Sequence, residues 1–350
     1  PSFTLDVYPF FHRSNIPLSQ TQDITLTTQI DTNRLENILK IVKHWSGPLS
    51  VAVYSTNFEK DVLTLSKFIK SYHSEISSVH LHLVHESTYH YSYPINFLRN
   101  VALNLSETNL NFILDADFTP PPYMYEKLTK DSKFEFIFKY APEGHAFVIP
   151  AFQIETEDAC STTFGKGSTL CSQDLPTNKE ALNILLNKGV SNEFHPEKLG
   201  HYFTNTERWR TESKPYYIYW STWYEPYIIF DKSLPNSPVF EELFYDRSHN
   251  KVVFCFELYV RGFRYVVLPD VFVIHRYENE DLNQQVTKKP MKHHASLYKQ
   301  VELRLRTEFK CKNGKLECSQ SPKFSDINPL QLLPSKLSYD GYEEPMLQFV

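Results

Sequence analysis

Residues 23–118 limit the fold more than any other feature: four apolar, β-rich segments alternate there with stretches of helical period. Residues 23–29 alternate β-branched and apolar side chains and read as a strand. Residues 31–44 then place Leu35, Ile38, Leu39 and Val42 at helical spacing, with Asp31 or Thr32 as the cap. Trp45-Ser46-Gly47-Pro48 ends that helix, and residues 49–54 form a second buried strand. Residues 57–72 read as a helix, 79–84 as a third strand, 95–105 as a helix and 111–114 as a fourth strand that runs into Asp115. Strands alternating with helices predict an α/β protein with a parallel, doubly wound sheet, which binds ligands beyond the carboxyl ends of its strands. Asp115 stands at such an end.

The second half is less regular. Strands are expected at 145–154, 216–220, 227–230, 265–268 and 271–274, and helices at 179–188, 250–260 and about 290–309. Residues 1–22 read as an irregular surface arm and 311–350 as a loose C-terminal extension. With no repeat, low-complexity tract or linker between them, residues 23–310 read as a single domain.

Lys and Arg (36) nearly balance Asp and Glu (41), without a basic stripe, so no nucleic-acid partner is expected. No stretch reaches the ~18 apolar residues of a membrane span. The chain begins at Pro1, so membrane attachment is expected only through an anchor absent from this chain. Among the five cysteines, Cys160 and Cys171 flank a polar loop and Cys311 and Cys318 flank a turn, while Cys255 lies in an apolar run. Two short local bridges and one buried thiol fit a secreted chain; a cytosolic one would keep all five reduced.

The strongest chemical signal is Phe112-Ile113-Leu114-Asp115-Ala116-Asp117-Phe118, followed by three prolines. Two carboxylates separated by one small residue, just past a buried strand, can approach one hard cation such as Mn2+ or Mg2+. A solvated pair capping the next segment is the alternative. A second apolar strand delivers His275, an imidazole that could complete such a site. His80 and His82 share one strand face, and a zinc site there is conceivable. Phe164-Gly165-Lys166-Gly167-Ser168 lacks the spacing of a phosphate loop.

Several ordered segments together resemble glycosyltransferase family 49, which includes β-1,4-glucuronyltransferases and LARGE-type glucuronyltransferase domains. They include residues 24–29, 39–54, 93–102, 114–118 and 146–152, then Gly200-His201, Arg208-Trp209-Arg210, Tyr224-Glu225-Pro226-Tyr227, Asn250-Lys251 and 266–275. The resemblance implies a GT-A glycosyltransferase fold, a Rossmann-like mixed sheet flanked by helices. Residues 23–120 would form its donor half and 121–310 its acceptor half. It also implies an inverting transfer from a UDP-sugar, expected to be UDP-glucuronate, to a glycan or glycoprotein acceptor in the Golgi or secretory lumen. The full-length protein would be type II membrane-anchored.

Asp115, Asp117 and His275 match the metal-binding positions, and Ala116 lies between the two carboxylates. Thr27, Thr28 and Gln29 match the strand end where the nucleotide lies, and Arg99 and Asn100 match a donor-side segment. Arg99 and Lys251 are candidates to fork onto a uronate carboxylate. An inverting transfer needs a base, for which Glu225 is the first candidate and Asp246 the second. Asp246-Arg247-Ser248-His249 replaces the glycine-and-aromatic run usual in the family, which leaves the acceptor open. The competing readings are another UDP-sugar (GlcNAc, glucose or xylose) and a non-catalytic glycan-binding module.

Overall fold

The computed structural model describes residues 4–88, 92–154, 175–195, 199–246, 249–276 and 291–311. The strands are β1 (Leu5–His12), β2 (Ile24–Asp31), β3 (Leu49–Ser55), β4 (Val79–Glu86), β5 (Leu110–Ile113), β6 (Phe118–Thr119) and β7 (His145–Ile149). They continue with β8 (Ala151–Ile154), β9 (Ser191–Glu193), β10 (Tyr216–Ile218), β11 (Tyr227–Asp231), β12 (Arg264–Val267) and β13 (Val273–Arg276). Helices α1 (Glu36–Val42), α2 (Phe58–Ser71), α3 (Ile95–Asn104), α4 (Met124–Lys130) and α5 (Phe136–Tyr140) belong to the first half. Helices α6 (Lys179–Asn187), α7 (Leu199–Tyr202), α8 (Thr206–Thr211), α9 (Asn250–Val260) and α10 (Met291–Glu308) follow.

Among the described residues, nine strands form one sheet in the order β1-β4-β3-β2-β5-β11-β7-β12-β10, and β6-β13-β8-β9 form a smaller one. Strands β2, β3, β4 and β5 run parallel, as the sequence predicts. Antiparallel β11 then inserts between β5 and β7. Residues 23–120 and 121–310 therefore contribute strands to one continuous sheet.

Side-chain alternation explains why both faces are buried. In β7 and β11, Phe147, Ile149 and Ile229 join the core beneath α1, α4 and α5, while Ala146, Val148, Ile228 and Phe230 join the core around α9. Every residue of α9 is buried, so its near-continuous apolar run marks a helix enclosed on all sides.

Three expectations change. The N-terminal arm is not wholly irregular: β1 adds to the sheet edge antiparallel to β4. The expected strand at 145–154 is two strands in different sheets, β7 and β8, divided at Pro150. The histidines of β4 do not form a zinc site. His82 Nδ1 accepts from the Phe10 amide at 3.0 Å and its Nε2 lies 3.1 Å from Ser50 Oγ. His80 Nδ1 accepts from the Ser14 amide, and its Nε2 lies 3.1 Å from Glu107. Both rings thus hold the N-terminal segment in place.

Cys311 is disulfide-bonded and Cys255 is a buried thiol. The expected pairings of Cys160 with Cys171 and of Cys311 with Cys318 lie outside the described residues, as does the 164–168 segment. Among the described residues, no helix is long and apolar enough to cross a membrane.

Candidate functional site

Strand β5 fixes Asp115 through its neighbours: the Leu114 amide donates to Thr27 O at 3.1 Å, and Ile113 pairs with Ile228 of β11. This register brings Tyr227 alongside Asp115, and its hydroxyl donates to Asp115 Oδ2 at 3.0 Å. Two helices add cations. Arg99 of α3 donates to Oδ1 at 2.7 Å, and Lys251 of α9 donates to Oδ2 at 2.9 Å. Lys251 occupies the first turn of its helix, where the macrodipole disfavours a cation; Asp115 and the Tyr227 ring, 3.9 Å from the ammonium, compensate. Burial would raise the Asp115 carboxyl, but Lys251 and Arg99 outweigh it and hold the group well below the usual carboxylate range.

Asp117 is placed differently. Its side chain is 42% exposed, against 22% for Asp115. The pairing of His275 with Phe118 between β13 and β6 sets His275 Nε2 3.5 Å from Asp117 Oδ2. The imidazole is packed against Phe118 and Phe194, with ring centres 5.1 and 5.2 Å away. A cation about 2.0–2.2 Å from each ligand atom is compatible with this separation. No group of three or more His, Cys, Asp or Glu side chains among the described residues could hold a metal. A cation at this pair would therefore take its other ligands from substrate oxygens or water. Both Asp115 oxygens already accept from Arg99, Lys251 and Tyr227, which sets Asp115 apart from Asp117 and His275, with which the sequence groups it.

Ala116, between the two carboxylates, is buried. Strand β2 continues past the expected 29 to Asp31. Thr27, Thr28 and Gln29 are all buried within it. Thr27 Oγ1 donates to Phe112 O at 3.4 Å, and Gln29 accepts from the Tyr93 hydroxyl. The strand mouth is formed by Asp31 and Arg34, whose Nε donates to Asp31 at 2.9 Å. Burial disfavours the Arg34 cation, but Asp31, Tyr93 and Asp117 overcome this and raise its pKa. Arg34, which the sequence reading missed, thus belongs to the same electrostatic field as Asp117. Asn100 has its amide engaged elsewhere: it donates to Phe240 O at 2.9 Å and Glu242 Oε1 at 2.8 Å, and accepts from the Phe240 amide. It ties α3 to the 240–242 segment.

Glu225 lies two residues before Tyr227, half-buried, and its amide donates to Gly200 O at 2.8 Å. Its side chain packs against Gly200, where an added Cβ would stand a tight 3.1 Å from Oε1. His201, which follows Gly200 in α7, stacks on Tyr227 at 5.5 Å. Burial, with Lys251 adding to it, pushes His201 down to about 3, so it is neutral at physiological pH. Asp246 is buried and clamped: Oδ1 accepts from the Tyr93 amide at 2.6 Å, and its own amide donates to Tyr93 O at 2.8 Å. Burial raises its pKa against the lowering by Tyr93 and Ser92. Tyr227 and His201 stand within motifs visible in the sequence, but only the β5–β11 register shows what they touch.

The chain matches the family described as "Glycosyl-transferase for dystroglycan" over residues 23–92 and 85–310, and it belongs to that glycosyltransferase family. It is 29% identical over 272 residues to the xylosyl- and glucuronyltransferase LARGE1 of Homo sapiens, covering 76% of this chain and 32% of that protein. It is 30% identical over 263 residues to LARGE2 of Mus musculus, covering 74% of this chain and 35% of that protein. The chain thus spans about a third of the length of these relatives. Among solved structures it is similar to S. aureus TarS 1–349 in complex with UDP-GlcNAc, with 14% identity, a TM-score of 0.45, and coverage of 84% of this chain and 68% of that one. It is also similar to GalNAc-T7 with UDP, GalNAc and Mn2+, with 10% identity, a TM-score of 0.41, and coverage of 74% and 45%. Family membership and the mixed α/β sheet identify a GT-A glycosyltransferase fold.

Proposed function

We propose that the chain transfers glucuronate from UDP-glucuronate to a hydroxyl of a glycan or glycoprotein acceptor, with inversion to a β-linkage and dependence on Mn2+ or Mg2+. One observation carries the reading: in a chain of this family the exposed Asp117 stands 3.5 Å from the mostly buried His275 and beside the cation-neutralised Asp115, past the end of β5. In this reading Asp117 and His275 would hold the cation, which would offset the charge of the departing UDP. Asp115 keeps Arg99, Lys251 and Tyr227 in place around the donor. Arg34 is suited to the donor's negative charge at the mouth of β2. Glu225 accepts the proton of the acceptor hydroxyl as its oxygen attacks the anomeric carbon and the bond to the phosphate oxygen breaks. The clamp on Tyr93 suits Asp246 to shaping the acceptor side. The disulfide-bonded Cys311 supports a secretory-lumen or Golgi setting. A type II anchor would belong to a longer protein.

A neutral donor such as UDP-xylose is the second reading. It is favoured because Arg99 and Lys251, the two candidates for holding a uronate carboxylate, are both engaged by Asp115. A donor panel with and without chelator decides between them. Mn2+-dependent hydrolysis of UDP-glucuronate above the other UDP-sugars is expected. Turnover confined to a neutral sugar overturns the glucuronate reading, and chelator-insensitive UDP binding overturns the cation assignment.

A further inference from the structure

We propose that Trp223 is the stacking platform for a pyranose ring of the acceptor, an inference that rests on the transferase reading above. Trp223 is 41% exposed and adopts a left-handed backbone, with φ +73°. For a bulky non-glycine residue that conformation is strained. Burial of the indole does not explain such a conformation, since the side chain remains half open to solvent.

The ring is nevertheless held firmly. The buried Tyr298 of α10 lies parallel to it, with centres 5.4 Å apart and planes 17° apart, and the His249 ring lies 4.9 Å away. His249 also contacts Tyr298 at 5.0 Å, and it too has a left-handed backbone, with φ +46°. Two strained residues thus support an aromatic stack that ends in an exposed indole.

Its position argues for a ligand that reacts at the site. Trp223 is two residues from Glu225, no more than about 7 Å of chain. Through His249 it is also two residues from Lys251, whose ammonium sits on Asp115. The platform therefore adjoins the site along two independent chain paths, through the 223–227 turn and the start of α9. The β2 mouth with Arg34 belongs to the other half of the sheet. A flat, rigid, half-exposed indole matches the C–H face of a pyranose, which is apolar on one side and carries hydroxyls around its edge. Because an indole face makes no directional hydrogen bond, the platform selects a ring shape, and a polar neighbour such as Glu225 selects the hydroxyl.

The test uses methyl β-pyranosides (xyloside, glucoside and N-acetylglucosaminide) as probes, with saturation-transfer NMR on the full chain in Mn2+ and UDP. In parallel, UDP is titrated calorimetrically and the melting temperature recorded for each variant. The expected result is a ring-proton signal from at least one pyranoside that falls at least fivefold in Trp223→Ala. Trp223→Phe should retain part of it, with UDP affinity within about twofold of the unaltered chain. No pyranoside signal in the unaltered chain, or an unchanged signal in Trp223→Ala, overturns the platform. So does loss of the signal in step with UDP affinity and melting temperature, because the indole would then be acting only as packing. Failure of the unaltered chain to bind UDP refutes the transferase reading instead, whatever the pyranoside result.

Discussion

Replacing Asp115 by Asn tests the division of labour within the Asp115-Ala116-Asp117 triplet. The substitution keeps the shape but removes one negative charge from between two buried cations, Arg99 at 2.7 Å and Lys251 at 2.9 Å. Arg99 and Lys251 are only 6% and 11% exposed at the side chain, so water recovers little of the lost solvation. Breaking a buried pair by removing one partner costs about 3–5 kcal/mol. At roughly 2 °C per kcal/mol, the melting temperature should fall by about 6–10 °C. The same change at Asp117, exposed and with His275 at 3.5 Å, should alter stability by no more than about 0.5 kcal/mol while abolishing Mn2+-dependent UDP binding. Lys251→Met in the Asp115→Asn background should restore part of the loss, with a coupling of about 1–3 kcal/mol in the double-mutant cycle. Thermal melts and urea titrations of the four variants measure this. Equal melting temperatures for Asp115→Asn and Asp117→Asn would refute the reasoning, because the cation lock on Asp115 would then contribute nothing to the fold.

Glu225→Gln should lower transfer at least a hundredfold in kcat with UDP affinity retained, as read by product formation and calorimetry. Gly200→Ala, whose Cβ would crowd Glu225 Oε1, should reduce kcat through the same carboxylate, and equal loss of UDP binding would count against that route. Gly47→Ala should destabilise the chain by about 1–3 kcal/mol in a urea titration, because its Cβ would fall within the ring of Tyr125, which is packed on Trp45. His145 is buried, and burial pushes its pKa down to about 4; its ring contacts Tyr140 O and the Tyr217 hydroxyl. Between pH 6.5 and 4 the unfolded chain binds the extra proton, so stability falls as pH falls, by up to about 1.4 kcal/mol per pH unit from this group. The urea midpoint should drop from pH 7 to pH 5, and His145→Gln should flatten that drop.

The sequence by itself determined the central parallel strands and the position of Asp115. Those features follow from local pattern: the β-branched and apolar residues of β2, β3 and β5, interleaved with a few polar ones, mark strands buried on both faces of the sheet. It also brought Asp117 and His275 to notice, since each stands at or beside an apolar strand. Tertiary structure decided what those side chains do. The antiparallel insertion of β11 beside β5 places Tyr227 on Asp115, and α3 and α9 supply Arg99 and Lys251 to it from positions far apart in the chain. No local pattern encodes that convergence, because register between distant strands is set by global packing rather than by neighbours in sequence. The same limit hid the structural role of Asn100 and the Tyr93 clamp on Asp246. Two carboxylates one residue apart read alike in the sequence; the fold sets one, partly buried, among cations and leaves the other open beside His275.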